Sequence, residues 1–185
     1  MSLYEVMSTT TSLRDLACGA GSILEGKTKV RTREDGTMLF EYPWTEERTN
    51  LVREFSKTKT EDVRRMLATS ARAKIPKRRP DEPRPLPSVL ILETGWLETM
   101  KNEVVVLISL QTPKDALKEA KLEVIGCRED NRRGETKLLP GSIILVFESV
   151  RFRTVPAGLP FVILAFPTAP LELGLAGQAE HGRVV

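Results

Sequence analysis

Eight basic residues crowd one short stretch of this chain: Arg64, Arg65, Arg72, Lys74, Lys77, Arg78, Arg79 and Arg84, broken by Asp81 and Glu82. Cations gathered on an exposed surface attract phosphates, on anionic lipid headgroups or on nucleic acid, and a basic run also suits a nuclear import receptor. The same run equally reads as a solvated helix face leading into a linker. Bond-making chemistry is poorly supplied. His181 is the only histidine, and Cys18 and Cys127 lie far apart. A catalytic triad or a zinc site needs positioned imidazoles or clustered thiolates. No enzyme, metal or cofactor is therefore expected, and both cysteines read as small buried side chains. Acids are plentiful, but no pair of carboxylates stands out.

Two short motifs carry resemblances. Gly21-Ser-Ile-Leu-Glu-Gly26-Lys27-Thr28 fits G-x-x-x-x-G-K-[ST] and resembles the phosphate-cradling loop of P-loop NTPases. That resemblance implies Lys27 on the β/γ phosphates and Thr28 on Mg²⁺, with Gly21 and Gly26 shaping the loop. The flanks read differently: a helix precedes the motif and a strand follows it, where a phosphate cradle needs a strand and then a helix. Pro167-Thr168-Ala169-Pro170 is identical to the P-T-A-P late-domain peptide of viral structural proteins. The resemblance implies recruitment of the host ESCRT budding machinery by an extended proline-rich segment docking in a groove.

Basic surface, β-rich core and late-domain-like peptide together resemble the small viral matrix or budding proteins. This implies a non-enzymatic assembly protein of a virion. It would bind an anionic membrane surface or nucleoprotein through residues 64–84 and self-associate. Two alternatives stand beside it: a nucleic-acid-binding accessory protein with a nuclear-targeting stretch, and a P-loop nucleotide-binding protein.

The elements that must position these residues follow from patterning. Ser12 with Asp15 reads as a helix start, and Leu13, Leu16, Ala17, Ala20, Ile23 and Leu24 keep helical spacing. Lys27–Arg33 and Thr37–Tyr42 read as a hairpin around Glu34-Asp35-Gly36. Helices are expected from Thr45 to about Phe55, burying Leu51, Val52 and Phe55, and from about Thr60 to Ala73. The proline-rich residues 76–87 exclude helix and inner strand and read as an extended loop or linker. Strands follow at Ser88–Thr94, Glu103–Gln111 and Leu122–Cys127, with a short helix at Pro113–Lys121 and a charged loop at Arg128–Gly134. Ser142–Val155 and Leu159–Phe166 read as a long hairpin around Pro156-Ala157-Gly158. Arg151 and Arg153 share one strand face. Phe147, Phe152, Phe161 and Phe166 alternate with aliphatics and read as core, while Trp44 and Trp96 read as rim. The expected fold class is α+β, with two or three helices in the N-terminal half and mainly antiparallel sheet or sandwich in the C-terminal half.

The totals fit this reading. A length of 185 residues suits one domain, parsed as 1–75, a 76–87 linker, an 88–167 β-rich core and a 168–185 flexible tail. Hydrophobic content of 41% and charged content of 29% argue against wholesale disorder. Aromatic content of 5% argues against base-stacking platforms and hence against sequence-specific RNA reading. The N-terminus lacks a signal-peptide core, and the apolar runs 142–147 and 159–166 are too short to span a bilayer. The expected location is intracellular and cytoplasmic, extending to a peripheral membrane, nuclear or virion site.

Overall fold

Aliphatic runs set the centre of the molecule. Glu103–Ser109 (EVVVLIS) and Ile143–Val146 (IILV) offer almost no polar position on either side, so both of their faces must be covered. The computed structural model, which describes residues 2–22, 29–32, 34–77, 86–110, 119–127 and 132–171, places them inside a layered β structure. The elements in chain order are β1 (Tyr4–Met7), α1 (Thr11–Ser22), β2 (Lys29–Thr32), β3 (Met38–Tyr42) and α2 (Glu46–Met66), the last continued by a π-helical turn, Leu67–Ala71. Then come β4 (Ala73–Lys74), β5 (Ser88–Thr94), β6 (Leu97–Glu98), β7 (Glu103–Ser109), β8 (Lys121–Gly126) and β9 (Arg133–Lys137). The last are β10 (Ile143–Val146), β11 (Val150–Val155), β12 (Pro160–Pro167) and β13 (Ala169–Pro170).

Seven strands form one antiparallel sheet in the order β1-β10-β7-β12-β5-β3-β2, and four form a second in the order β6-β11-β8-β9. Helices α1 and α2 cover one face of the large sheet, through Leu13, Ala17, Leu51, Phe55 and Val63 against Val89, Val106, Ile108 and Val162. The small sheet covers the other face, through Leu122, Val124, Val150 and Phe152 against Val105, Leu107, Ile144 and Phe161. The result is a helix layer, a large sheet and a small sheet, with one core on each side of the middle layer. Tyr4 joins the sheets at one side: its hydroxyl donates to the Glu135 carbonyl at 2.7 Å. Its ring lies so close to Gly134 that a Cβ there would come within 2.8 Å of Tyr4 Cε1.

This arrangement overturns the expected α+β partition. Among the described residues there are two helices, the molecule is mostly antiparallel sheet, and strands β1 to β4 precede residue 75. Strands on both sides of 76–87 share the large sheet, since β3 pairs with β5 and β1 with β10. The two helices expected at 45–55 and 60–73 are one. The polar run Ser56-Lys-Thr-Lys-Thr60 looks like a break, but Thr58 and Thr60 donate their hydroxyls to the carbonyls of Glu54 and Ser56 at 2.8 and 2.6 Å and stay helical. The long hairpin expected around Pro156 does not form. β11 pairs with β8 and β6, β12 with β7 and β5, so the turn passes the chain from one sheet to the other.

Smaller expectations resolve similarly. The Asp-Gly hairpin forms between β2 and β3, with Gly36 at φ +80° and Thr37 N–H donating to Asp35 Oδ1. The cap of α1 is Thr10, whose hydroxyl accepts from Leu13 N–H at 3.2 Å, and not Ser12. β1 and β9 lay outside the expected strands, and Arg133 and Gly134, assigned to a loop, belong to β9. Phe147, Phe152 and Phe161 are buried as expected. The body of the expected 113–121 helix lies outside the described residues, and Lys121 opens a strand.

Candidate anionic-surface docking site

The basic stretch begins as the last turn of α2, where cations face the negative end of the helix dipole. Arg64 and Arg65 are exposed and paired to Glu61 and Asp62, each one turn back. Such i,i+3 pairs on an open helix face contribute little stability. The π-helical turn then ends at Arg72, which adopts the left-handed conformation at φ 49° and returns its N–H to the Leu67 carbonyl. That reversal aims β4 back across the end of the sheet. Arg72, Lys74 and Lys77 are exposed there. Arg78, Arg79 and Arg84 lie outside the described residues.

The same corner holds the Pro167–Pro170 peptide, which the sequence suggested would leave in a tail. Pro167 closes β12 opposite Glu103, and Thr168 N–H donates to the Asn102 carbonyl at 2.8 Å. Ala169 pairs with Lys74 and Pro170 with Ala73, and Leu171 N–H donates to the Arg72 carbonyl at 2.9 Å. The peptide is thus a strand laid against the basic stretch, and the structured chain runs past residue 168. Glu148 Oε2 accepts from Asn102 N–H at 2.8 Å and braces the loop beneath. A small cavity of about 120 Å³ separates Phe147 and Glu148 from Thr168 and Pro170. Sequence reasoning named the basic stretch and the peptide separately. Their union, with Leu171 beside them, had no sequence signal, because it depends on the αL reversal at Arg72.

Other sequence candidates settle elsewhere. Gly21 is buried in the last turn of α1, while Gly26, Lys27 and Thr28 lie outside the described residues. The flanking order is helix and then strand, the reverse of a phosphate cradle. His181 also lies outside the described residues. Cys18 is half-buried, but Cys127 is exposed, not the buried side chain expected, because it stands just past the end of β8. Its thiol is still pushed above the usual range, first by local desolvation and then by Glu98. Trp44 is at the rim and exposed, as expected.

Arg151 and Arg153 project from the outer face of the small sheet into a cross-strand ladder. Arg151 meets Glu98 at 3.1 Å, and Arg153 meets Glu123 at 2.8 Å. Lys121 reaches Glu123 at 3.3 Å and Glu135 at 2.7 Å. The Arg153 guanidinium also lies 4.6 Å from the centre of the Trp96 ring. The hydrogen bond from Arg153 holds the Glu123 carboxyl below its usual range, and the bond to Glu135 holds the Lys121 ammonium above its own.

Two cations sit in the helix-side core and were not anticipated. Arg48 is fully buried, donates Nη1 to the Pro43 carbonyl, and lies 6.0 Å from the centre of the Tyr42 ring. Burial pulls its pKa down and pushes that of Tyr42 up. Lys59 donates to Ser8 Oγ at 3.3 Å and faces Asp62 at 3.5 Å. Arg48 thus ties the start of α2 to the end of β3, and Lys59 ties a later turn to the segment after β1.

No family model and no curated protein matches the chain. Function rests on the chemistry of these surfaces. No cluster of His, Cys, Asp or Glu among the described residues could hold a metal ion, and no described helix is long and apolar enough to cross a membrane.

Proposed function

We propose that this chain is a non-enzymatic assembly protein that docks on an anionic membrane surface through the corner formed by the end of α2, β4 and β13. The observation that carries the proposal is the convergence at that corner. Five exposed cations, Arg64, Arg65, Arg72, Lys74 and Lys77, gather there, with Glu61 and Asp62 paired to the first two, and stand beside the exposed Leu171. A basic surface with an apolar neighbour is what interfacial binding uses: each Lys or Arg near an anionic leaflet contributes about 1 kcal/mol, and buried apolar area adds to it. In this reading the two-residue ladder of β13 on β4 sets the cations in place, and the Pro167–Pro170 peptide becomes available to a partner when that ladder opens.

The test is co-sedimentation with phosphatidylserine-containing vesicles, with phosphatidylcholine vesicles as control. Binding is expected to the first alone and to weaken steeply with salt, because the screening length shortens at higher ionic strength. Preference for an RNA or DNA duplex over these vesicles in a parallel titration would move the assignment to a nucleic-acid-binding protein. Absence of vesicle binding at low salt would end it.

A further inference from the structure

The large sheet has seven strands and its cover has four, so part of one face is left open. Leu92 and Phe161 are buried beneath the small sheet, whereas Leu90, Ile163 and Ala165 on the same two strands are only half-covered. They floor a groove of about 570 Å³ whose wall is β6 and Met100. Glu41 and Glu103 stand on its rim, with Ser88 Oγ donating to Glu41 at 3.1 Å. Glu98 also lines it but is engaged by Arg151. Met100 is 70% exposed, and Lys101, next to it at the tip of the loop entering β7, is exposed as well.

We infer that this groove is a two-fold interface between copies of this chain, in which the Met100–Lys101 tip of each copy seats in the groove of the other. An isologous contact needs one patch that is complementary to itself, with knob and hole, and cation and anion, side by side. Each half is present. Met100 is the apolar knob and the Leu90–Ile163–Ala165 floor is the hole. Lys101 is the cation, and Glu41 and Glu103, which line the groove, are the anions. A two-fold axis between tip and groove sets each Met100 on the opposite floor and brings each Lys101 to the opposite carboxylates. Four adjacent strands, from β3 to β7, give the floor a width of about 14 Å, room for a loop tip and its flanks. A dimer so built presents two basic corners, an arrangement that strengthens docking by linkage if the function proposed above is right. The interface itself does not depend on that function.

Analytical ultracentrifugation of the full chain tests it without any membrane. Wild type is expected to sediment as a dimer at about 100 µM. Met100→Asp, at an exposed position that leaves both cores intact, is expected to be monomeric with an unchanged circular dichroism spectrum. Lys101→Glu and Glu103→Lys are each expected to weaken association by about tenfold or more, and the double variant Lys101→Glu/Glu103→Lys to regain most of it, since a two-fold interface swaps both partners at once. A monomeric wild type, a dimer that survives Met100→Asp, or a double variant as weak as the singles would each overturn the inference.

Discussion

Two surfaces of this molecule are rich in charge and have opposite characters. On the outer face of the small sheet, antiparallel register places Arg151 against Glu98 and Arg153 against Glu123, with Lys121 bridging Glu123 and Glu135. The charges there largely satisfy one another. At the end of α2 the carboxylates lie one turn back along the helix, and the chain then adds the exposed Arg72, Lys74 and Lys77. Two clusters of arginine and lysine thus give a self-neutralising face in one place and a net positive corner in the other. Which outcome holds is decided by strand register and chain reversal, not by composition.

Experiments can break or sharpen this contrast. The largest effect is expected beneath the neutral ladder. Phe152 is buried and meets Phe161 edge-on at 6.5 Å, so Phe152→Ala should cost about 3–5 kcal/mol in urea unfolding. A cost under about 1 kcal/mol would mean that the ladder does not rest on this core. Next is the positive corner. Arg72→Glu with Lys74→Glu should weaken binding to phosphatidylserine vesicles by about thirtyfold or more, while Arg151→Glu with Arg153→Glu should leave it within about twofold. Equal losses from the two pairs would erase the distinction between the surfaces.

A smaller effect concerns pH. The folded-state pKa of Glu123 is depressed, chiefly by its hydrogen bond from Arg153, so the native state favours the carboxylate. The stability it contributes is complete above its ordinary value of 4.5 and is lost as pH falls through the lower folded value. Glu123→Gln should therefore flatten the acid limb of the stability curve, by less than about 1 kcal/mol because the pair is partly solvated. An acid limb unchanged by this substitution would show the ladder to be ornamental. The smallest effect is expected for Arg64→Ala, within about 0.5 kcal/mol of wild type by thermal unfolding, because its pair with Glu61 stands on an open helix face.

The strands with unbroken aliphatic runs were legible in the sequence, as was the β2–β3 hairpin, because local chemistry alone specifies them. β1 was not. It is four residues long with Val6 half-exposed, so it has too little alternation to stand out. The pairing of strands was not legible either. Ser142–Val155 holds enough hydrophobic alternation for one strand, yet Ser149 at φ 56° splits it between two sheets, and nothing local marks serine for that conformation. The basic stretch could be listed residue by residue. Its partnership with Pro167–Pro170 could not, since the two are almost a hundred positions apart. Arg48 and Lys59 escaped notice for a related reason: a cation on the buried stripe of a helix looks like one on its open face until the partner it stacks on or donates to is known.

The pairing of Tyr4–Met7 with Ile143–Val146 has a consequence for biosynthesis. Tyr4–Met7 is the end strand of the large sheet, and the strand it pairs with is made much later. At roughly 5–20 residues per second, translation leaves Tyr4–Met7 without a neighbour for many seconds. During that interval Val6 and Met7 are open to chaperones, or to the same strand on a neighbouring nascent chain, until Val146 clears the ribosome.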